Sequence, residues 1–170
     1  MDYFSTWEGV FYWKAPIVND SRGAFSKLLP KELLPLIGDF FVQDLFITES
    51  DQGVVRGIHL QYEPYASARL IHVISGSIDD ILIDLRPKST NYRSLHSQHL
   101  GSEGLNTVFI PPLVAHGFEA LTATRILYIA DKVHDPNSDA GFNPLSIEHN
   151  WKTMQPTISD RDLSLPKFYN

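Results

Sequence analysis

Five residues of this sequence could do acid–base chemistry if the fold brought them together: His59, Arg69, Asp84, His116 and Tyr128. Each sits on a candidate strand, on a face otherwise largely apolar, and around His59 apolar and polar residues alternate at period two. In the stretch 54–61, Val55, Gly57, His59 and Gln61 share one face, and Val54, Arg56, Ile58 and Leu60 share the other. On this reading Gly57 leaves room beside the imidazole for something bulky. By the same parity Arg69 goes with Ile71 and Val73, Asp84 with Leu82 and Asp80, His116 with Phe118 and Ala120, and Tyr128 with Ile126 and Ala130. One such residue is ordinarily a satisfied polar group at a strand end. Five on successive strands of a closed sheet would line a cavity, which is costly for stability alone and typical of a reaction site.

The chemistry is narrowed by what is missing. No Ser or Cys nucleophile stands in an elbow motif, and there is no glycine-rich phosphate loop. His59 and His116 could ligate a metal, but no His-x-His pair or matching carboxylate spacing accompanies them. A base, an acid and a cation around a small pocket suit proton abstraction beside a carbonyl. A neutral His removes the proton, the cation stabilises the enolate oxygen, and Tyr returns a proton from the other side.

The elements that must position these groups are mostly strands. Strand signals run over Val10–Ala15, Phe40–Thr48, Val54–Gln61, Arg69–Ile74, Ile78–Leu85, Leu95–Leu100, Thr107–Ile110, Ala115–Leu121 and Thr124–Ile129. Asp20–Gly23 reads as a turn leading into Ala24–Ser26, and Pro30–Ile37 as the one early helix, kept short by Pro35. Many short strands with little helix predict an all-β sandwich or barrel. No repeat or linker divides the chain, so residues 1–170 are expected to form one domain, with a polar tail after Asn150 closing over one end.

Composition sets outer bounds. A chain of 170 residues that is 43% hydrophobic, with ten Phe, seven Tyr and three Trp, can order around a real core. A net charge of −6 without a basic block argues against nucleic-acid binding through a basic face. The absence of cysteine excludes disulfide and thiolate chemistry. With no apolar run long enough to span a bilayer and no leader-like N-terminus, no membrane partner is expected and a cytoplasmic location is the default.

Four motifs together resemble one family. Arg56-Gly57-Ile58-His59-Leu60-Gln61, Ala68-Arg69-Leu70-Ile71, Ile83-Asp84-Leu85-Arg86 and Ile110 to Phe118 occur in the order and near the spacing of the dTDP-4-dehydrorhamnose 3,5-epimerases. The likeness extends from Arg22-Gly23-Ala24-Phe25 to the tail Ile158-Ser159-Asp160-Arg161-Asp162. It implies a cupin-type jelly roll (a double-stranded β-helix), a homodimer, no metal, no cofactor, and a nucleotide-linked 4-keto sugar as substrate. By resemblance His59 is the base, Asp162 the acid that orients it, and Tyr128 the proton donor on the opposite ring face. Arg69 stands where the family usually has a lysine near the sugar carbonyl. Arg22 and Arg56 resemble diphosphate contacts, and Phe25, Gln43, Gln61, Asp84, His116 and His134 complete the expected substrate-binding set.

Departures cluster at the nucleotide end. Lys27 replaces a glutamate, Leu45 an asparagine associated with the base, and Val133-His134 an aromatic pair. These changes make a GDP- or CDP-linked deoxysugar or heptose an alternative to a dTDP sugar. Two rivals stay open: a metal-dependent cupin enzyme using His59 and His116, and a non-catalytic sugar-nucleotide binding module. The aromatic segment Tyr3, Phe4, Trp7, Phe11, Tyr12 and Trp13 is expected to be covered by a second subunit.

Overall fold

A computed structural model describes residues 3–169. Thirteen strands and two short helices follow in the order β1 (Tyr3–Ser5), β2 (Phe11–Trp13), β3 (Ile17–Asp20), β4 (Gly23–Ser26), α1 (Leu34–Ile37), β5 (Asp44–Ser50), β6 (Val55–Gln61) and β7 (Arg69–Ser75). Then come β8 (Ser77–Asp84), β9 (Leu95–Gly101), β10 (Thr107–Ile110), β11 (Val114–Ala120), β12 (Thr124–Ala130), β13 (Asp139–Gly141) and α2 (Asp160–Ser164). One sheet has the order β1-β2-β10-β7-β12-β5, and the second the order β13-β6-β11-β8-β9, while β3 and β4 form a separate hairpin. Neighbouring strands are antiparallel. The two sheets face each other as a jelly roll.

Between the sheets lies a core that includes Tyr12, Ile71, Val73, Ile78, Leu82, Val108, Phe118 and Ile126. A second cluster, with Ile58, Leu60, Ile81, Ile83 and Ala115, covers the outer face of the five-stranded sheet beneath Ile147 and Phe168. Strand β8 is accordingly buried on both faces, its three aspartates included. A third cluster packs Leu33 on Trp13, Leu70 and Phe109, with Ile37 and Phe40 beside it. Phe40 is thus in a loop, and β5 begins four residues later than the apolar pattern suggests. The early helix is only the four residues of α1, with Pro35 in its first turn.

Half of the aromatic N-terminal segment departs from expectation. Trp7, Tyr12 and Trp13 are buried within their own chain, because β1 and β2 complete the edge of the six-stranded sheet. Tyr3 and Phe4 of the same segment stay exposed, and other large exposed apolar side chains lie on β3–β4 (Ile17, Val18, Phe25) and along residues 41–47 (Phe41, Val42, Leu45, Phe46, Ile47). Among the described residues no helix is long and apolar enough to cross a membrane.

Candidate active site

A cavity of about 340 Å³ opens between the sheets, lined by Phe46, Arg56, Gly57, His59, Gln61, Arg69, His116, Tyr128, His134, Arg161 and Asp162 among others. Strand β6 supplies the base side. Strict parity would put Arg56 and His59 on opposite faces, yet both line the cavity. The pairing of β6 with β11 steps from His116↔His59 to Phe118↔Arg56, and at the step Gly57 has φ +105°. Only glycine fits there: a Cβ on Gly57 would lie 2.6 Å from the Gly117 Cα and 2.7 Å from the His116 carbonyl oxygen. The space beside Gly57 is therefore filled by the neighbouring backbone, not reserved for a ligand.

His59 Nε2 lies 2.7 Å from Asp162 Oδ1, while the Gly57 N–H donates to Asp162 Oδ2 at 3.2 Å. Asp162 reaches this place because Ser159 caps α2, its Oγ accepting from the Asp162 N–H at 3.1 Å. Burial opposes ionisation of Asp162, but the hydrogen bonds from His59 and Gly57 and the nearby Arg161 hold its carboxyl below the usual carboxylate range. An ionised Asp162 can only accept, so the His59 tautomer it favours donates from Nε2 and leaves the Nδ1 lone pair open. Arg161 Nη1 stands 3.2 Å from His59 Nε2, and its other nitrogen contacts Asp139 on β13.

The facing sheet supplies the cation and the phenol. Arg69 donates through Nη2 to the carbonyl of Val114 at 3.0 Å and weakly to that of His59, which ties β7 to the opposite sheet. Its Nε is buried without a partner, an unusual cost for a guanidinium unless a ligand oxygen satisfies it. Burial pulls the Arg69 pKa down, against the opposing pull of Tyr128, Asp80 and Asp139. Tyr128 is buried, its phenol pushed above the usual range, so the hydroxyl keeps its proton and can act as an acid. Its ring stacks on Phe46, with centroids 4.9 Å apart and planes at 6°, and meets the His116 ring edge-on at 6.0 Å. His116 Nε2 is 2.7 Å from Asp80 Oδ1, and Asp80 also accepts from Tyr12 Oη at 3.1 Å. Burial lowers the His116 pKa despite Asp80, which keeps the ring neutral.

Several expected residues lie elsewhere. Asp84 is outside the cavity: at the end of β8 it accepts from Arg86 Nη2 and Ser89 Oγ, both at 2.6 Å, and the inward acid of that strand is Asp80. Parity was right for β8, but the cavity ends before its last residue. Arg22 and Phe25 sit on the exposed β3–β4 hairpin, where Arg22 pairs with Asp20 at 2.6 Å. Gln43 is exposed and does not line the cavity. Leu45 points to the outer face, since Asp44, Phe46 and Thr48 are the β5 residues that line the cavity. Gln61 lines it but spends its amide on two loops, donating to the carbonyls of Tyr65 and Val133 and accepting from the Asp135 N–H. His134 stands at the rim, 3.6 Å from Asp139. Sequence reasoning missed Phe46, Lys132, Asp139 and Arg161. Of these only Arg161 carried a signal, as the neighbour of Asp162. Among the described residues no group of three or more His, Asp or Glu side chains is placed to hold a metal ion.

This geometry agrees with the comparisons to known proteins. The sequence pattern of the dTDP-4-dehydrorhamnose 3,5-epimerase family matches residues 5–170. A dTDP-4-dehydrorhamnose 3,5-epimerase of Sinorhizobium fredii is 32% identical over 153 residues, covering 86% of this chain and 78% of its own length. The Shigella flexneri enzyme of the same name is 28% identical over 165 residues, covering 94% and 91%. The crystal structure of the Sulfolobus tokodaii enzyme superposes with a TM-score of 0.89 at 28% identity, covering 98% of this chain and 94% of that one. That of the Bacillus anthracis enzyme, with TDP and PPi bound, gives 0.85 at 27% identity, covering 94% of each. The chain belongs to the dTDP-4-dehydrorhamnose 3,5-epimerase family and is an epimerase.

Proposed function

We propose that this chain inverts carbons flanking the C4 ketone of a nucleoside-diphosphate 4-keto sugar, in the making of a deoxysugar. The observation that carries the reading is that a carboxylate-held imidazole and a protonated phenol come from facing sheets of one cavity, with an unsatisfied guanidinium N–H on its wall. The ketone acidifies the adjacent C–H. Nδ1 of His59 takes that proton, and the C–H electron pair moves into an enolate whose oxygen accepts from Arg69 Nε–H. The Tyr128 hydroxyl then gives a proton to the opposite face of the same carbon. Solvent removes the proton from the imidazolium and restores the phenol, so the two transfers balance without an electron carrier.

The experiment is incubation of 4-keto sugar nucleotides in heavy water, followed by NMR. Wild-type protein should incorporate deuterium at the inverted carbon. Tyr128→Phe should still place deuterium in recovered substrate of retained configuration, while inverted product falls sharply. Equal loss of exchange and inversion would remove Tyr128 from the acid role.

The carrier proposed is thymidine diphosphate, as in the names of the relatives. With Leu45 turned outward, the argument for another nucleotide keeps only Val133-His134, and His134 at the rim offers a ring on which a pyrimidine can stack. Such a charged metabolite does not cross bilayers, which supports a cytoplasmic site of action. We also infer a homodimer, supported by the exposed apolar side chains of β3–β4 and of Phe41, Val42, Leu45 and Ile47. Arg22 and Phe25 fit a substrate role only in that setting, with the hairpin of one subunit reaching the cavity of the other. Sedimentation should give twice the chain mass, and Phe25→Asp should shift it toward monomer.

A further inference from the structure

Phe46 is a large aromatic on the edge strand of the six-stranded sheet, 42% exposed, yet turned toward the cavity. Its position is set by register, for β5 pairs with β12 so that Phe46 lies directly opposite Tyr128. Directly opposed side chains of an antiparallel pair stand close enough to touch. Here the two rings lie parallel, at 6° and 4.9 Å, covering one face of the phenol, while His116 meets it from a second direction. The phenol ring is thereby held between a residue of its own sheet and one of the facing sheet.

A proton donor on the inverting face must hold its hydroxyl over the enolate carbon during the enolate's lifetime. Otherwise His59 returns a proton to the face it came from, and the turnover is lost as exchange without inversion. From this arrangement we propose that Phe46 is a positioning residue for Tyr128, holding the phenol at the inverting face and so raising the share of enolates that become product. This rests on the acid role proposed for Tyr128. Phe46 touches no reacting atom in this role; it acts through the ring it stacks on. A stacked aromatic pair biases an equilibrium by roughly two- to tenfold, and the partition between return and inversion should change by about that factor when the ring is removed.

The test is the ratio of inverted product to deuterium-labelled, configuration-retained substrate in heavy water, measured for the full-length protein and for Phe46→Leu and Phe46→Tyr. Phe46→Leu keeps apolar bulk but no ring face. Inversion should fall about two- to tenfold further than exchange, a split in line with the worth of an aromatic stack. Phe46→Tyr keeps the ring and should restore the wild-type ratio. A ratio unchanged in Phe46→Leu, or exchange and inversion falling together, would show that Phe46 is only cavity wall and would overturn the proposal. So would a Phe46→Tyr ratio as low as that of Phe46→Leu. Failure of the underlying reading is seen separately: the wild type would then show no exchange, or Tyr128→Phe would keep the wild-type ratio.

Discussion

Asp162→Asn probes the base side with almost no change in shape, and the structure fixes why it must fail. The native carboxylate accepts twice, from His59 Nε2 at 2.7 Å and from the Gly57 N–H at 3.2 Å. An asparagine amide has one accepting and one donating end. With its oxygen toward His59, its NH2 group faces the Gly57 N–H, donor against donor. With its oxygen toward Gly57, its NH2 donates to His59 Nε2 and drives the ring proton to Nδ1, the atom that should accept from substrate. The amide also has no charge to offset the imidazolium formed by abstraction, worth about 1.5–3 kcal/mol for a hydrogen bond to a charged group. Charge and tautomer together predict a fall in kcat of about 10²–10⁴, with KM changed by no more than a few-fold. The assay is steady-state epimerisation together with deuterium exchange at saturating substrate. Both should fall by the same factor, because the base serves both. A kcat within about threefold of wild type, a difference under 1 kcal/mol, would refute the dyad. A loss confined to KM would instead make Asp162 a binding residue.

Gly57→Ala should cost about 3 kcal/mol or more in urea unfolding, since its Cβ would stand 2.6 Å from the Gly117 Cα at a φ of +105°. Any folded fraction should have lost activity with the register step that aims Arg56 and His59. Asp84→Asn should destabilise near neutral pH by about 3 kcal/mol, as expected when one partner of a buried ion pair is removed. Burial opposes the Asp84 charge, but Arg86 and Ser89 hold its carboxyl below the ordinary value, so its stabilisation is full above pH ~4 and fades as pH falls through the folded-state value. The gap in Tm between wild type and variant should close on acidification, while the exchange-to-inversion ratio stays the same in both. In competition binding, dTDP should displace a bound sugar nucleotide at lower concentration than GDP or CDP; the reverse order would restore the weight of Val133-His134.

Strand β12 was legible because it buries one face at period two, whereas β1 and β3 bury neither face and gave no strand signal. What escaped the pattern were contacts between distant backbones. The step at Gly57 depends on Gly117, sixty residues on in the chain, and nothing in the local alternation marks it. Parity therefore misassigned Arg56 while placing His59, Arg69, His116 and Tyr128 correctly. It misjudged Asp84 for a different reason: alternation tells which face a side chain takes, not where along the strand a cavity ends. Phe46 was overlooked because an apolar residue on an edge strand looks like surface, and only the pairing with Tyr128 gives it a place. The aromatic N-terminus looked like an arm because nothing in its sequence marks that β1 folds back on β2 and that β2 docks on the distant β10 and the core.

The tail shows how the catalytic dyad is assembled across 103 residues. Asp162 is brought to His59 by a segment with little regular structure of its own, so that segment must be tied down. Glu119 on β11 is fully buried, and its two carboxylate oxygens accept from the N–H groups of Lys152 and Thr153 at 2.8 and 2.6 Å. Thr157 then bridges the main chain at Gly53 and Val55, and Ser159 caps the turn that presents Asp162. An unpaired buried carboxylate would be strongly destabilising, but one that accepts two charge-assisted hydrogen bonds becomes an anchor. Glu119 lies three residues after His116 and is drawn outward, while His116 faces the cavity. Strand β11 thus lines the reaction site with one face and with the other fastens the segment that completes it. Loosening the tail at Glu119 should consequently be felt as lost abstraction at His59, although no atom of Glu119 lines the cavity.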